Sequence, residues 1–326
     1  MSQDLPPGFT SFHRLFYIRL MMKQVVLWML LLPAGLACGQ VVPKFDVQGH
    51  RGARGLMPEN TIPAFITALD YGVTTVELDL AVTRDRQLVV SHEPWMSADI
   101  CLTPEAEEIT EREERRFNIY AMTYAEVMTF DCGVKGNPGF PEQEKRAAYK
   151  PLLRDVIAAV EDHIKSRSRY EVDYNIEIKS SPEGDGKIHP APEEFSDLVY
   201  TLLDQYLPLN RVVIQSFDFR VLRYWHKKYP EVRLAALVEN SRSVEANLQN
   251  LGFNPSIYSP YFKLLSKARI DYLHQRKIRV IPWTVNEKDD ILRMKSWKVD
   301  GIITDYPNRT YEEGLGIILL KKKGLH

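Results

Sequence analysis

The stretch Thr75-Val76-Glu77-Leu78-Asp79-Leu80 combines apolar and β-branched residues with two acidic ones. Its apolar side chains predict a buried β-strand. Because side chains alternate along a strand with a period of two, Glu77 and Asp79 lie on the same face. Similar short runs recur along the chain with amphipathic segments between them, and this alternation favours a parallel sheet.

Eight such runs predict an α/β fold in which the sheet closes into a (β/α)8 TIM barrel. The predicted strands are Phe45–Gln48, Thr75–Leu80, Tyr174–Ile178, Val212–Gln215, Leu234–Val238, Ser256–Tyr258, Val280–Trp283 and Gly301–Ile303. The predicted helices are Ile62–Tyr71, Leu152–Ile164, Pro192–Tyr206, Phe219–Lys228, Lys263–Arg276 and Lys288–Trp297.

The alternation fails once, after the second strand, between about residues 93 and 150. This segment predicts a small insertion in a loop region where barrels place functional residues. It contains Cys101 and Cys132. In an oxidising compartment these two cysteines could form a disulfide, and the alternative is a pair of free thiols.

The overall composition is that of a folded protein with a substantial core. Of 326 residues, 44% are hydrophobic and 26% are charged, and the formal net charge is −1. A general nucleic-acid-binding protein usually carries a basic excess. We therefore expect no nucleic-acid partner, although a local cationic site remains compatible with this balance.

The first 39 residues resemble an export signal. Lys23 precedes the apolar run Val25–Leu32, and small residues follow before Cys38. The run is too short to span a bilayer and fits a secretory signal, with a buried core helix as the alternative. Translation could begin at the Met21-Met22 pair. We expect an exported, periplasmic or lipid-anchored bacterial envelope protein, whose only membrane attachment would be a lipid at Cys38, with residues 40–326 as the barrel domain.

The acidic residues of two predicted strands suggest a metal site. Glu77 and Asp79 would repel each other strongly unless a cation lies between them. A hard divalent cation suits such oxygen ligands, and an Arg or Lys partner is the alternative. Glu177 adds a third carboxylate on the strand Tyr174–Ile178. Lys179 shares its face and offers a positive charge to an anionic substrate, and we do not expect it to form a simple salt bridge with Glu177.

Two histidines follow strand-like runs. His50 ends the first strand, and the neighbouring Arg51 has a guanidinium that suits phosphate oxygens. His92 ends the run Leu88–Ser91. Histidines titrate near neutral pH, so the two could act as acid and base, whereas a structural role for His50 at the strand end is the alternative.

Further candidates lie on the rim of the predicted barrel. Glu59 stands between the His50-Arg51 pair and the first helix. Gln215 and Phe217 follow the fourth strand, and Trp283 ends the seventh. An aromatic side chain there could bound a substrate, and core packing is the alternative for Trp283.

Taken in order, these segments resemble the glycerophosphodiester phosphodiesterase family over about residues 45–310. The matching motifs are GHRG at 49–52, PENT at 58–61, VELDL at 76–80, HEP at 92–94, IEIK at 176–179, QSFD at 215–218, WTVN at 283–286 and DGIITDYP at 300–307. The insertion also resembles that of the longer bacterial periplasmic members.

The resemblance implies a metal-dependent enzyme with a small-molecule glycerophosphodiester as its substrate. Glu77, Asp79 and Glu177 would hold one divalent cation, Ca²⁺ or Mg²⁺. His50 and His92 would be the general acid and base. The products would be glycerol 3-phosphate and an alcohol.

The resemblance also implies roles for the remaining charged residues. Arg51 and Lys179 would hold the phosphate, and Glu59 would join the metal or phosphate shell. Two other functions stay open: an enzyme similar to phosphatidylinositol-specific phospholipase C, which is commonly metal-free, or a non-catalytic surface protein that binds ligands on the same barrel. The oligomeric state is not specified by the sequence.

Overall fold

In the computed structural model, which describes residues 44–167 and 170–317, eight parallel strands form a nearly closed barrel, as predicted. The strands are β1 (Asp46–Gly49), β2 (Thr75–Val82), β3 (Leu88–Val90), β4 (Asp173–Ile178), β5 (Val212–Ser216), β6 (Arg233–Val238), β7 (Ile257–Pro260), β8 (Arg279–Val280) and β9 (Gly301–Thr304). Their order is β8-β7-β6-β5-β4-β2-β1-β9, and β3 pairs antiparallel with β2 outside this order.

Two backbone hydrogen bonds link the segments that contain the outermost strands, β8 and β9. Asp300 donates its N–H to the carbonyl of Val280, and Ile303 donates to that of Pro282, both at 2.9 Å. The predicted strand Val280–Trp283 was too long at its carboxyl end, because β8 ends at Val280. Proline has no N–H to continue a ladder, which accounts for an end just before Pro282.

Most of the helices surround this barrel. The helices are α1 (Ile62–Asp70), α2 (Tyr124–Val127), α3 (Leu153–Arg167), α4 (Pro192–Tyr206), α5 (Phe219–Lys228), α6 (Val244–Leu251), α7 (Lys267–Gln275), α8 (Lys288–Ser296) and α9 (Pro307–Glu312). Of these, α2 lies in the segment that follows β3. The sequence analysis missed α6, whose ends nevertheless carry clear signals. Ser243 caps its first turn, and Gly252 ends it in the left-handed conformation that glycine adopts without a steric penalty.

The barrel interior is apolar on one side and polar on the other. Four strands and the residue that follows β8 contribute a buried apolar cluster, which consists of Val213, Ala235, Ile257, Ile281 and Ile303. On the other side lie the buried side chains of Gln48, Asn175 and Gln215. The outward-facing strand residues pack against the helices in the main hydrophobic core. Buried polar side chains require hydrogen-bond partners, and those of Gln215 include the carboxylate of Glu77.

The segment after β3 forms a small subdomain with its own hydrophobic cluster. Leu80 pairs with Val90, so the β2–β3 hairpin returns the chain to the level of Asp79 before the segment begins. A disulfide of 2.11 Å joins Cys101 to Cys132, which confirms that pairing.

Two features bear on membrane attachment. Over residues 44–167 and 170–317, we find no helix that is both long and apolar enough to cross a bilayer. The predicted signal segment at residues 1–39, including Cys38, lies outside the described residues.

Candidate active site

Three buried carboxylates meet at the carboxyl-terminal mouth of the barrel. Glu77 and Asp79 extend from β2, and strand register places Asp79 opposite Glu177 on β4. One oxygen from each of the three carboxylates lies within 4.8 Å of the others. The period-two pattern therefore produces the expected cluster, and each carboxylate is almost fully buried.

The three carboxylates carry like charges, and the neighbouring cationic side chains do not fully neutralise them. Burial, together with the neighbouring charge of Asp79, raises the pKa of Glu77. Burial also raises the pKa of Glu177 to about 7. Burial alone would also raise the pKa of Asp79. The charges of His92, Arg51 and Lys179 outweigh that effect and hold the pKa of Asp79 well below its usual range. Nearby cations thus compensate only part of the cluster's charge.

Hydrogen bonds hold two of these carboxylates in position. Glu77 accepts from the Arg51 backbone N–H at 2.8 Å and from the Gln215 amide at 2.7 Å. Asp79 accepts at one oxygen from Asn60 at 2.9 Å. Its other oxygen, Oδ1, has no hydrogen-bond partner among the described residues, although it is buried. A buried carboxylate oxygen that accepts no hydrogen bond and lies close to two other carboxylates fits a cation ligand.

Gln215 takes part in a chain of polar side chains through the barrel interior. Its amide nitrogen donates to Glu77, and its oxygen accepts from Asn175 at 2.9 Å. Asn175 also donates to Gln48 at 2.7 Å, and Gln48 donates to Asp46 at 2.8 Å. Gln215 reaches the cavity wall, but these contacts make it a support for Glu77. Its predicted role in substrate binding stays a prediction.

His50 lies at the end of β1 and is held by an acid from the other end of the chain. Its Nδ1 is 2.6 Å from Asp305, which also accepts from Arg54 at 2.9 Å and from Asn286 at 2.7 Å. Burial, and then the charge of Arg54, lowers the pKa of His50 to about 4. Burial opposes ionisation of Asp305, but His50 and Arg54 lower its pKa. The imidazole is therefore neutral at neutral pH.

His92 has a similar arrangement after β3. Its Nδ1 is 2.6 Å from the carboxylate of Glu93. Burial lowers the pKa of His92, while Asp79 and Glu93 act in the opposite direction. Behind this pair, the buried Lys150 donates to the Ser91 hydroxyl at 2.9 Å, and that hydroxyl donates to the Glu93 backbone carbonyl at 2.6 Å.

The two predicted phosphate-binding cations lie beside the carboxylates. Arg51 is 2.7 Å from Glu59 and 3.5 Å from Asp79. Lys179 Nζ is 3.1 Å from Glu177 and 3.9 Å from Asp79. The expectation that Lys179 and Glu177 do not pair was wrong, because the flexible lysine side chain bends back along its own strand.

These groups surround a cavity of about 340 Å³. Nine of the predicted site residues line it: His50, Arg51, Glu77, His92, Glu177, Lys179, Gln215, Phe217 and Trp283. Glu59 is not in its wall, because its carboxylate lies against Arg51 and Arg54. The Trp283 indole donates to the Ser259 carbonyl at 2.9 Å, and its ring meets Phe217 edge-on at 5.5 Å. Trp283 therefore packs internally and also borders the cavity.

The sequence analysis gave no role to several charged residues of this site, among them Arg54, Asp305 and Lys150. Arg54 lines the cavity, Asp305 orients His50, and Lys150 supports the segment that carries His92. Asp305 stands within the DGIITDYP motif at 300–307, but its partner is 255 residues away. Only the closed barrel, in which β9 lies beside β1, brings the two together.

Comparison with known proteins decides the family. The model of the glycerophosphoryl diester phosphodiesterase family matches residues 50–309. The chain belongs to this family. It is 30% identical to a glycerophosphodiester phosphodiesterase of Bacillus altitudinis over 264 residues, or 80% of this chain and 94% of that one. A glycerophosphodiester phosphodiesterase of Caldanaerobacter subterraneus is 28% identical over 261 residues, covering 80% of this chain and 94% of its own length.

Solved structures agree with this assignment. The crystal structure of a glycerophosphoryl diester phosphodiesterase homologue from Silicibacter pomeroyi superposes on this chain with a TM-score of 0.73. The two proteins are 29% identical, and the match covers 83% of this chain and 95% of that one. An Oleispira antarctica phosphodiesterase in complex with the product sn-glycerol-3-phosphate has the same fold, with a TM-score of 0.65 at 19% identity over 83% of this chain and 96% of its own. The protein is therefore an enzyme that hydrolyses glycerophosphodiesters.

Proposed function

We propose that the hydrolysis depends on one divalent cation and yields glycerol 3-phosphate and an alcohol. The observation that carries the proposal is the group formed by Glu77, Asp79 and Glu177, in which one buried oxygen of Asp79 has no hydrogen-bond partner among the described residues. The three carboxylates would hold the cation, and hard oxygen ligands favour Ca²⁺ or Mg²⁺. When bound, the metal would supply Lewis-acid stabilisation of negative charge on the phosphate oxygens.

Arg51 and Lys179 provide the protein's own positive charge for the phosphodiester. Both side chains line the cavity together with Glu77 and Glu177. A guanidinium and an ammonium fixed in a mostly buried site stabilise charge that develops during attack on phosphorus. Their present partners are Glu59 and Glu177, so binding of substrate and metal would redistribute these ion pairs.

His50 and His92 would share the proton transfers. Each Nδ1 contacts a carboxylate, which leaves Nε2 as the nitrogen available to the cavity. One imidazole would remove a proton from the attacking nucleophile, and the other would protonate the departing alcohol. Asp305 and Glu93 would orient the rings and stabilise whichever imidazole becomes protonated.

A panel assay tests this proposal. The protein is stripped with EDTA, dialysed and incubated with glycerophosphocholine, glycerophosphoethanolamine or glycerophosphoglycerol, and released glycerol 3-phosphate is measured enzymatically. We expect turnover with Ca²⁺ or Mg²⁺ and none with EDTA. Full turnover in EDTA would contradict metal dependence and favour the mechanism of a metal-free phospholipase C. Absence of release under every condition would favour a ligand-binding protein.

We also propose that the mature protein is exported and begins between about Cys38 and Val41. The apolar run and small residues before Cys38 support a cleaved signal. The disulfide between Cys101 and Cys132 supports an oxidising compartment. Intact-mass measurement of protein from the native host is the test, because retention of residues 25–36 would contradict cleavage and an added lipid mass would identify an anchor.

A further inference from the structure

A second cavity adjoins the catalytic one. Its volume is about 410 Å³, and it shares Phe217, Leu237 and Glu239 with the catalytic cavity. It lies over the loops that follow β4, β5 and β6, which is the face where barrels bind substrates. A phosphodiester has two ester arms, and the three shared residues place the second cavity beside the catalytic one, where one of these arms would extend.

One charged group of the second cavity is already neutralised. Arg220 is 2.6 Å from a carboxylate oxygen of Asp218 and 2.6 Å from one of Asp185. Asp218 also accepts from the Ser180 hydroxyl at 2.8 Å. This network fixes the loop between β5 and α5 but offers little free charge to a ligand.

Two other arginines in the wall have no carboxylate partner among residues 44–167 and 170–317. Arg223 donates one N–H to the Asn250 backbone carbonyl at 2.9 Å, which leaves its other donors available. Arg242 forms no ion pair in this part of the chain, and both arginine side chains are exposed. Glu239 lies at the boundary between the cavities, forms no ion pair among the described residues and adds a negative charge to the same wall.

We propose that the second cavity binds the alcohol portion of the diester and that Arg223 and Arg242 favour an alcohol that itself carries an anionic group. This inference rests on the proposed function, because it places the scissile phosphate at the carboxylate cluster. Arginine suits phosphate and carboxylate groups by its planar set of donors. Glu239 reduces the preference, since it repels the same group.

A matched pair of substrates tests the charge preference. Glycerophosphoinositol 4-phosphate and glycerophosphoinositol differ only in the phosphate on the alcohol, and glycerophosphocholine adds a cationic alcohol. We expect wild-type kcat/KM to be about three- to tenfold higher for the phosphorylated member of the pair, the order that two exposed charge interactions contribute. This ratio should fall as NaCl is raised, because salt screens exposed charges.

Three variants separate this inference from a structural effect. Arg223→Ala/Arg242→Ala should bring the ratio to about one, and Glu239→Gln should raise it above the wild-type value. Arg276→Ala, which removes an exposed arginine after α7 at the opposite end of the barrel, should keep the wild-type ratio.

Two results would overturn the inference while leaving the proposed function intact. One is wild-type hydrolysis in which the phosphorylated substrate has no advantage, and the other is a ratio that the double variant does not change. If the wild type hydrolyses none of the three diesters with Ca²⁺ or Mg²⁺, the proposed function fails and the inference fails with it.

Discussion

The two ends of the barrel differ in the partners of their buried carboxylates. At the amino-terminal end, Asp173 is 2.8 Å from Arg233, and a nearby carboxylate, that of Asp46, accepts from Thr75 at 2.7 Å and Thr74 at 2.8 Å. At the carboxyl-terminal mouth, three carboxylates lie together and one has a buried oxygen without a hydrogen bond among the described residues.

Under the proposed function, this difference distinguishes charge that stabilises the fold from charge that would bind a cation. Leaving a buried polar group without a partner costs free energy, so such groups persist where a function requires them. A series of side-chain hydrogen bonds links the two ends. It runs from Asp46 through Gln48, Asn175 and Gln215 to Glu77. One end of the polar interior thus pairs its carboxylates with a cation or with hydroxyl groups, and under the proposed function a cation would complete the other end.

The largest effect should come from removing a charge at the mouth. Asp79→Asn and Glu177→Gln keep the side-chain shape but remove an anionic ligand. Because a bound metal contributes several kcal/mol to transition-state stabilisation, we expect kcat/KM to fall at least about 10³-fold. Steady-state kinetics at saturating Ca²⁺ would measure this, with the exposed Glu105→Gln as control. Activity within tenfold of wild type in both variants would mean that the carboxylates are structural.

The histidines should give the next largest effect. His50→Ala and His92→Ala should each lower kcat/KM by about 10²–10⁴-fold, the usual contribution of one general acid or base. A diester with a nitrophenolate leaving group hardly requires protonation, so it should partly rescue the variant that lacks the acid and not the other. His226→Ala is the control. Near wild-type hydrolysis of glycerophosphocholine by both variants would disprove the acid–base assignment.

Breaking the ion pair at the opposite end should affect stability and not chemistry. Arg233→Met leaves Asp173 buried without its cation, and we expect a loss of about 3–5 kcal/mol in the free energy of unfolding. The double change Arg233→Met/Asp173→Asn should recover part of it. Urea denaturation and kcat per folded molecule are the measurements. A large loss of kcat with unchanged stability would contradict the contrast between the two ends.

A smaller, gradual effect should appear in the pH dependence of stability. The folded-state pKa of His50 is lowered from 6.5 to about 4, so folding disfavours its protonation. Its contribution to stability is therefore present above pH 6.5 and decreases as the pH falls toward 4. The pKa of Asp305 is also lowered, so its contribution is lost only at still lower pH.

This pH effect is measured by urea denaturation in EDTA between pH 7.5 and 4.5. Because other groups titrate in that range, the relevant quantity is the difference in the free energy of unfolding between wild type and His50→Asn. We expect the advantage of the wild type to shrink as the pH falls. An advantage that grows toward pH 5 would show that His50 is stabilised in its charged form.

The sequence predicted the carboxylate cluster better than it predicted the residues that support the two histidines. Glu77 and Asp79 share a face through local strand geometry, and the position of Glu177 follows from pairing of consecutive parallel strands. The partners Asp305 and Lys150 could not be predicted in the same way. Their contacts with His50 and Ser91 span 255 and 59 residues and depend on barrel closure and on the path of the insertion.

Side-chain flexibility set a second limit on the sequence analysis. Period two placed Glu177 and Lys179 on one face but did not show that the lysine side chain bends toward its neighbour. The short β8 and the missed α6 had local signals, in Pro282 and in the pair Ser243 and Gly252. Those errors came from the interpretation of the pattern and not from a lack of information in the chain.

The most direct test of the central claim is calorimetric titration of EDTA-stripped protein with Ca²⁺ and Mg²⁺. The wild type should bind one divalent ion per chain, whereas Glu177→Gln should lose most of the binding heat. Because that change removes one of three repelling carboxylates, the metal-free variant should melt at the same temperature as the wild type or higher. Equal ion binding by both proteins, or a metal-free variant that is strongly destabilised, would contradict a ligand-binding role for the carboxylates.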